Sequence, residues 1–174
     1  MDQPPGRQKH AARAVLVLVA IVGAALLLNS LRDDTPPLNS RDCDAARAVW
    51  ERRAIRDYTI ELRKELDRQP PETVRTVVRN GRPTSLTIDG APVTNRDTYT
   101  VHGLFELIER ELEMAGSSVR QPGQPEHVML RAVFDSETGV PMVFKRLAGH
   151  GRSVVLTVTG FEVAHPGGQP DGSE

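Results

Sequence analysis

The stretch T-V-H-G-L-F-E-L-I-E-R-E-L-E-M-A-G, Thr100–Gly116, determines how the sequence on either side of it must be arranged. Its apolar residues recur at three- and four-residue spacing, which predicts a helix with one apolar stripe. Thr100 is a suitable N-cap and Gly116 a suitable C-terminal stop. The stripe contains Val101, Leu104, Phe105, Ile108 and Leu112, with Leu107 beside it. We expect this stripe to lie against a sheet formed by the flanking segments.

The segments before and after this helix alternate apolar and polar residues, as half-buried strands do. An amphipathic helix around Trp50 comes first, and three strands follow it, beginning with Y-T-I-E-L-R-K-E-L from Tyr58. Asn80-Gly81 predicts a hairpin, because both central positions of the favoured turn need positive φ. Three more strand-like runs start at His127. The sequence therefore predicts an α+β domain, an antiparallel sheet of about five to six strands with two helices packed on one face.

An apolar run, A-V-L-V-L-V-A-I-V-G-A-A-L-L-L at Ala14–Leu28, lies near the start of the sequence, preceded by Arg7, Lys9 and Arg13. Extended to Leu31 it reaches about 18 residues, the lower limit for a helix that crosses a hydrocarbon core of ~30 Å. Short basic flanks resist translocation, so the N-terminus is expected in the cytoplasm and the remainder outside it. The anchor residues that we expect in the membrane include Leu16, Leu18, Ile21, Leu26 and Leu28.

Two membrane interpretations of this run remain open, an uncleaved signal anchor and a cleaved secretory signal. The segment L-L-L-N-S-L-R-D-D after the apolar core has no small-residue cleavage site, which favours the anchor. A buried core helix is disfavoured, because such helices carry a polar stripe and this run has none. We predict a single-pass protein of the inner (cytoplasmic) membrane with an extracytoplasmic domain; the alternative is secretion after cleavage.

These features divide the chain into five parts. They are a cytoplasmic stub (1–13), a transmembrane anchor (14–31), a linker (32–41), the α+β domain (42–163) and a disordered tail rich in proline and glycine (164–174). The first helix of the domain is expected to take Asp42 or Asp44 as its N-cap.

Composition and charge exclude several classes of function. The formal net charge is −1, so the chain lacks the basic footprint of a nucleic-acid-binding protein. Aromatic residues are scarce, which disfavours a platform for stacking single-stranded bases. Cys43 is the sole cysteine, so no intrachain disulfide can form, and a small buried residue is a better interpretation than a functional thiol.

The residues that could carry chemistry do not form a specific pattern. His102, His127 and His150 share no metal-ligand spacing, and neither cysteine nor clustered carboxylates accompany them. A triad could be drawn from Ser153, His150 and Asp135, but no G-x-S-x-G elbow supports it. We therefore predict no catalytic residues, no metal and no cofactor.

The segment F-D-S-E-T-G-V-P, Phe134–Pro141, is the most specific turn in the sequence. Asp135 can accept hydrogen bonds from the amides that follow it, Gly139 can supply positive φ, and Pro141 fixes φ at the start of a strand. A structural turn is the favoured interpretation of these three residues. The alternative is a loop that faces a binding partner.

Several of these segments together resemble a bacterial envelope family, domain of unknown function 6174, over roughly Ala45 to Val163. The residues that carry the resemblance are the helix with Trp50, D-Y-T-I-E-L, N-G-R-P-T-S-L, V-H-G-L-F at Val101–Phe105 and F-D-x-x-x-G-x-P at Phe134–Pro141. The last two are similar to family patterns V-D-G-L-F and Y-D-x-x-x-G-x-P. The resemblance implies a small secreted or lipid-anchored protein of the lipoprotein type and implies no activity. His102 stands where the family has an acidic residue, and this chain lacks the cysteine pair of many relatives.

Three functions are compatible with the sequence. The first is a non-enzymatic domain, held at the membrane, that binds a protein or another envelope component through an edge strand or an open face of its sheet. The second is a small-ligand carrier or sensor with a pocket between helix and sheet, lined by Leu104 and Phe105. The third is a hydrolase, which ranks last because no nucleophile and base stand at a specific spacing.

Overall fold

Alternating apolar residues form strands close to the positions that the sequence predicts. The computed structural model describes residues 33–94, 98–116, 128–149 and 152–164. Its helices are α1 (Ser40–Arg53) and α2 (Val101–Gly116). Its strands are β1 (Tyr58–Leu66), β2 (Glu72–Arg79), β3 (Arg82–Ile88), β4 (Ala91–Pro92), β5 (Val128–Phe134), β6 (Pro141–Ala148) and β7 (Val154–Val163).

The strands form one sheet in the order β4-β3-β2-β1-β7-β6-β5, and every neighbouring pair is antiparallel. The predicted α+β class is confirmed. Asn80 and Gly81 have φ of 52° and 73°, which confirms the β2–β3 hairpin. Asp89 and Gly90 repeat this geometry, with φ of 48° and 81°, and turn the chain into β4. With this two-residue strand the described part of the sheet has seven strands, one more than the five to six that the sequence predicts.

Both helices pack against the same face of the sheet. Tyr58, Ile60 and Leu62 of β1 are buried on that face, and the hydroxyl oxygen of Tyr58 accepts a hydrogen bond from the backbone N–H of Val101 at 3.1 Å. The ring of Trp50 in α1 meets the Tyr58 ring edge-on, with centroids 5.5 Å apart. Among the described residues no helix covers the opposite face, which we call the helix-free face.

The two helices begin at hydrogen-bonding caps. Thr100 caps α2 as predicted, because its hydroxyl oxygen accepts from the N–H of Gly103 at 3.0 Å. Helix α1 differs from the prediction: its N-cap is Asn39, whose side-chain oxygen accepts from the N–H of Asp42 at 3.0 Å. Asp42 lies in the first turn instead, where a carboxylate is favoured by the helix dipole.

The chain divides into two compact units, Met1–Asp34 and Thr35–Glu174. The predicted stub and anchor, and all of the predicted tail except Ala164, lie outside the described residues; the anchor residues in question are Leu16, Leu18, Ile21, Leu26 and Leu28. Within the described ranges, no helix is both long and apolar enough to cross a membrane. Residues 35–38, in the predicted linker, lie along the edge of β5: Leu38 N–H donates to Leu130 C=O at 2.9 Å, and Ala132 N–H donates to Pro36 C=O at 3.2 Å.

Candidate functional site

The turn between β5 and β6 is organised by Asp135. Its Oδ1 accepts from the hydroxyl of Thr138 at 2.7 Å, from the N–H of Thr138 at 2.8 Å and from the N–H of Glu137 at 3.2 Å. The Thr138 hydroxyl and amide hold the pKa of Asp135 below its usual value, because they stabilise the carboxylate. Pro141 begins β6 and is buried.

This turn lies directly on helix α1. Gly139 has φ of 80°, and a Cβ built there would lie 2.2 Å from the carbonyl oxygen of Ala46 and 2.8 Å from the backbone nitrogen of Trp50. On the other side, the guanidinium of Arg53 donates to the Glu137 carbonyl at 2.7 Å. The structure therefore places Asp135, Gly139 and Pro141 where they attach the β5–β6 turn to α1.

The other candidate residues are separated in the structure. Asp135 precedes the start of β6, whereas the hydroxyl oxygen of Ser153 accepts from the N–H of Ala148 at the end of β6. An eight-residue strand separates them, which is about 25 Å at ~3.3 Å per residue. His150 and His127 lie outside the described residues. His102 is exposed beside Glu106, at 3.2 Å.

No group of three metal-ligating side chains occurs within the described ranges. Asp135 and Ser153 are too far apart to belong to one triad.

Cys43 lies inside the core, on the buried side of α1, with 1 % of its surface exposed. Burial raises the pKa of its thiol to about 11, with Glu109 and Asp44 adding to the effect. We expect Ellman's reagent at pH 8 to react with the folded chain about 100-fold more slowly than with the same chain in denaturant, because the thiolate is the reacting species. Rapid reaction of the folded chain, or a disulfide-linked dimer on a non-reducing gel, would contradict this.

The helix-free face contains a recess at the β1–β7 pair. It measures about 270 Å³ and is lined by Thr59, Glu61, Arg75, Gly160 and Glu162. The pairing of β1 with β7 shifts register between Glu61 and Leu62, so that Glu61 pairs with Gly160 and Leu62 with Val158. Thr159 is the extra residue of this bulge, and its hydroxyl lies 3.3 Å from the Glu61 carbonyl oxygen. Since Gly160 has no side chain, the sheet surface is concave at this point.

The recess holds ionisable groups of both signs. Glu61 of β1 pairs across the sheet with Arg75 of β2, and Thr59 pairs with Glu162 of β7. Bulges re-aim side chains and are common beside functional sites, and a strand glycine often marks the close approach of another molecule. The sequence patterns did not predict this site. Its one local signal was Gly160 within the run S-V-V-L-T-V-T-G-F-E-V, since an isolated glycine in a strand suggests a bulge.

A second concavity lies between the two helices, on the other side of the domain. This groove measures about 430 Å³ and is lined by Ser40, Cys43, Asp44, Glu109, Leu112 and Glu113. Next to it the guanidinium of Arg47 binds the carboxylate of Glu109, which joins α1 to α2. Leu104 and Phe105, the predicted pocket residues, are buried in the core instead.

Comparison with known proteins identifies a family match. Residues 42–144, more than half of the chain, match the model of a family of unknown function, DUF6174. The matched region extends from α1 to β6 and contains both the V-H-G-L-F and the F-D-x-x-x-G-x-P segments. No curated protein matches the chain.

Proposed function

The chain belongs to the family DUF6174, and from that premise we propose that it is a non-enzymatic, extracytoplasmic domain that binds a protein partner on its helix-free face. The observation that supports this most is the recess at Gly160. A seven-stranded sheet with helices on one side presents its other side to solvent, and here that side is both concave and charged. Rigid sheets of this kind commonly position binding groups for a partner.

The size of the recess favours a protein over a small molecule. Small-molecule sites usually enclose ~300–1,000 Å³, and this recess is smaller and open. One side chain of a partner fits such a volume, and Glu61, Arg75 and Glu162 can hydrogen-bond or pair with a polar group at its tip. The chemistry fits a partner that inserts a polar or charged side chain.

The proposed location is the outer surface of the cytoplasmic membrane. It is supported by the apolar run at Ala14–Leu28 with basic residues before it and by the absence of a small-residue cleavage site after it. Secretion after cleavage is the alternative. A domain retained at the membrane would meet partners that are confined to the same surface.

Filling the recess should abolish binding without harming the fold. A Cβ on Gly160 would lie 3.6 Å from the Cβ of Glu61, an ordinary contact, and Gly160 does not have a positive φ, so neither the backbone nor the Cβ position opposes Gly160→Leu. A photo-crosslinking residue at Val77, which pairs with Thr59 beside the recess, reports the partner in intact cells. We expect one crosslinked product from the full chain and at least a tenfold loss of it in Gly160→Leu, equivalent to ~1.4 kcal/mol.

The matched control is Gly149→Leu, because nothing lies within 4 Å of a Cβ at Gly149. This variant should retain the product in full. Absence of a product from the unmodified chain, or equal yields from both glycine variants, would overturn the proposed binding site.

A small-ligand carrier remains the second candidate, and the groove between α1 and α2 is the observation that favours it. Its volume of about 430 Å³ lies within the range of ligand sites. Three of its six lining residues are acidic, so a cationic ligand would suit it. Ligand pockets are lined mostly by apolar side chains, and Leu112 is the one aliphatic residue that lines this groove. The ligand carrier is therefore a weaker candidate than the protein-binding face.

A further inference from the structure

On the helix-free face, the strands at the β5 end of the sheet carry a group of aliphatic side chains. Its side chains belong to β5, β6 and β7 and are Met129, Val133, Val143, Leu147 and Val155. We call these five residues the β5 patch. Met129 and Val133 are 56 % and 38 % exposed, among the most exposed large apolar residues in the described part of the chain. None of the five belongs to the core or packs against it.

The charged residues that lie between the β5-patch residues on β5 and β6 are basic. On the helix-free side of β5 and β6 the residues are Met129, Arg131 and Val133, and Val143, Lys145 and Leu147. Arg131 and Lys145 stand directly opposite each other in the pairing of the two strands. These two strands therefore present two cations and no carboxylate on that side, framed by aliphatic side chains. Aliphatic groups with interspersed Arg and Lys suit the surface of an anionic bilayer.

The segment that follows the predicted anchor in sequence is bonded to the edge of β5. Thr35 accepts a hydrogen bond from the guanidinium of Arg131 at 2.6 Å, and Pro36 and Leu38 bond to the backbone of β5. The predicted apolar segment ends at Leu31. Four residues then lead to Thr35, and an extended chain of that length spans at most ~14 Å. The chain that follows the predicted anchor in sequence is therefore bonded to the sheet at the edge of β5.

We infer that the β5 patch rests on the outer surface of the anionic membrane in which the predicted anchor lies. This inference rests on the proposed membrane anchoring, and it deepens it by assigning the domain an orientation. The β5 side of the helix-free face is turned toward the lipid, and the recess at Gly160 lies beyond it, on β1 and five residues along β7 from Val155. Because neighbouring strands are rotated by ~20° from one another, the recess half turns away from the plane of the patch.

Quenching by spin-labelled lipid tests the orientation. The full chain with Met129→Cys carries an environment-sensitive fluorophore and is reconstituted into vesicles of phosphatidylcholine and phosphatidylglycerol with doxyl lipid. Cys43 is buried and stays unlabelled in the folded chain. We expect at least threefold stronger quenching at position 129 than at the matched control Val77→Cys. Val77 is half-buried on the same face, four strands away, or about 19 Å at ~4.8 Å per strand.

The outcomes separate the two proposals. Charge reversal with Arg131→Glu and Lys145→Glu should remove the difference between the two positions, as should vesicles of phosphatidylcholine alone. Equal quenching at positions 129 and 77 in a chain that resists alkaline carbonate would overturn the orientation and leave the anchor. A fluorophore at 129 that is shielded from water but not quenched would show a protein on the patch and also overturn it. Extraction of the chain by carbonate would overturn the anchor and the orientation together.

Discussion

Gly139→Ala should destabilise the domain by more than ~4 kcal/mol, a loss that few single substitutions reach. The new Cβ would lie 2.2 Å from the carbonyl oxygen of Ala46 and 2.8 Å from the nitrogen of Trp50. Both are backbone atoms in the middle of α1, so no side-chain rotation can relieve the overlap. Helix and turn would have to separate, which would expose Ala46 and Cys43 on the buried side of the helix.

The φ of 80° at Gly139 adds a smaller penalty, and Gly90→Ala isolates it. Gly90 has φ of 81°, but nothing lies within 4 Å of a Cβ there. This control should lose only ~1–2 kcal/mol, the cost of a left-handed conformation for an L-residue. Urea denaturation followed by circular dichroism measures both variants. If Gly139→Ala lowers the free energy of unfolding no more than Gly90→Ala does, contact with α1 is not the reason that position 139 requires glycine.

This contact gives the F-D-x-x-x-G-x-P segment a physical meaning. Asp135 orders the turn through Thr138 and Glu137, and Gly139 then permits the close approach to α1. Sequence reasoning predicted the turn and the positive φ of Gly139, because both depend on local conformation. It could not predict the approach to α1, since that depends on a helix about ninety residues earlier in the chain.

The parts of the fold that follow from local patterns were predictable. Helix α2, its cap at Thr100 and the hairpin at Asn80-Gly81 all follow from spacing and turn chemistry. Strand β4 was missed although Asp89-Gly90 is also a hairpin signal, because the run after it is short and contains Pro92. Asn39 was missed as the cap of α1 because Asp42 and Asp44 are equally good capping residues by type.

The candidate site was not predictable for a different reason. The recess exists because β1 and β7 are out of register by one residue at Glu61, and these strands are about a hundred residues apart in the chain. Pairing between distant strands is set by the whole sheet, so Gly160 alone could not locate it. The same holds for the segment at residues 35–38, whose position along β5 depends on the bonds of Pro36 and Leu38 to that strand.

Phe105→Ala should lose ~3–5 kcal/mol, the usual cost of removing a buried aromatic side chain. Phe105 is 1 % exposed, and its ring stacks on Phe134 with centroids 6.1 Å apart and planes within 4°. The guanidinium of Arg47 lies over the Phe105 ring, 6.0 Å from its centroid, and also binds Glu109. The substitution therefore leaves a cavity at the junction of α1, α2 and β5.

The stacked rings of Phe105 and Phe134 join the two most specific segments of the sequence. Phe105 belongs to V-H-G-L-F and Phe134 to F-D-x-x-x-G-x-P, so the stacked pair joins the segment that begins α2 to the segment that attaches to α1. Leu107→Ala, on the same helix and half-buried against the core, is the matched control and should cost less than half as much. If both variants unfold at the same urea concentration, the stacked pair is no more important than any other contact of α2. If Phe105→Ala unfolds well before Leu107→Ala, the contact between these two segments is what holds the helices on the sheet, and the helix-free face remains the surface available for binding.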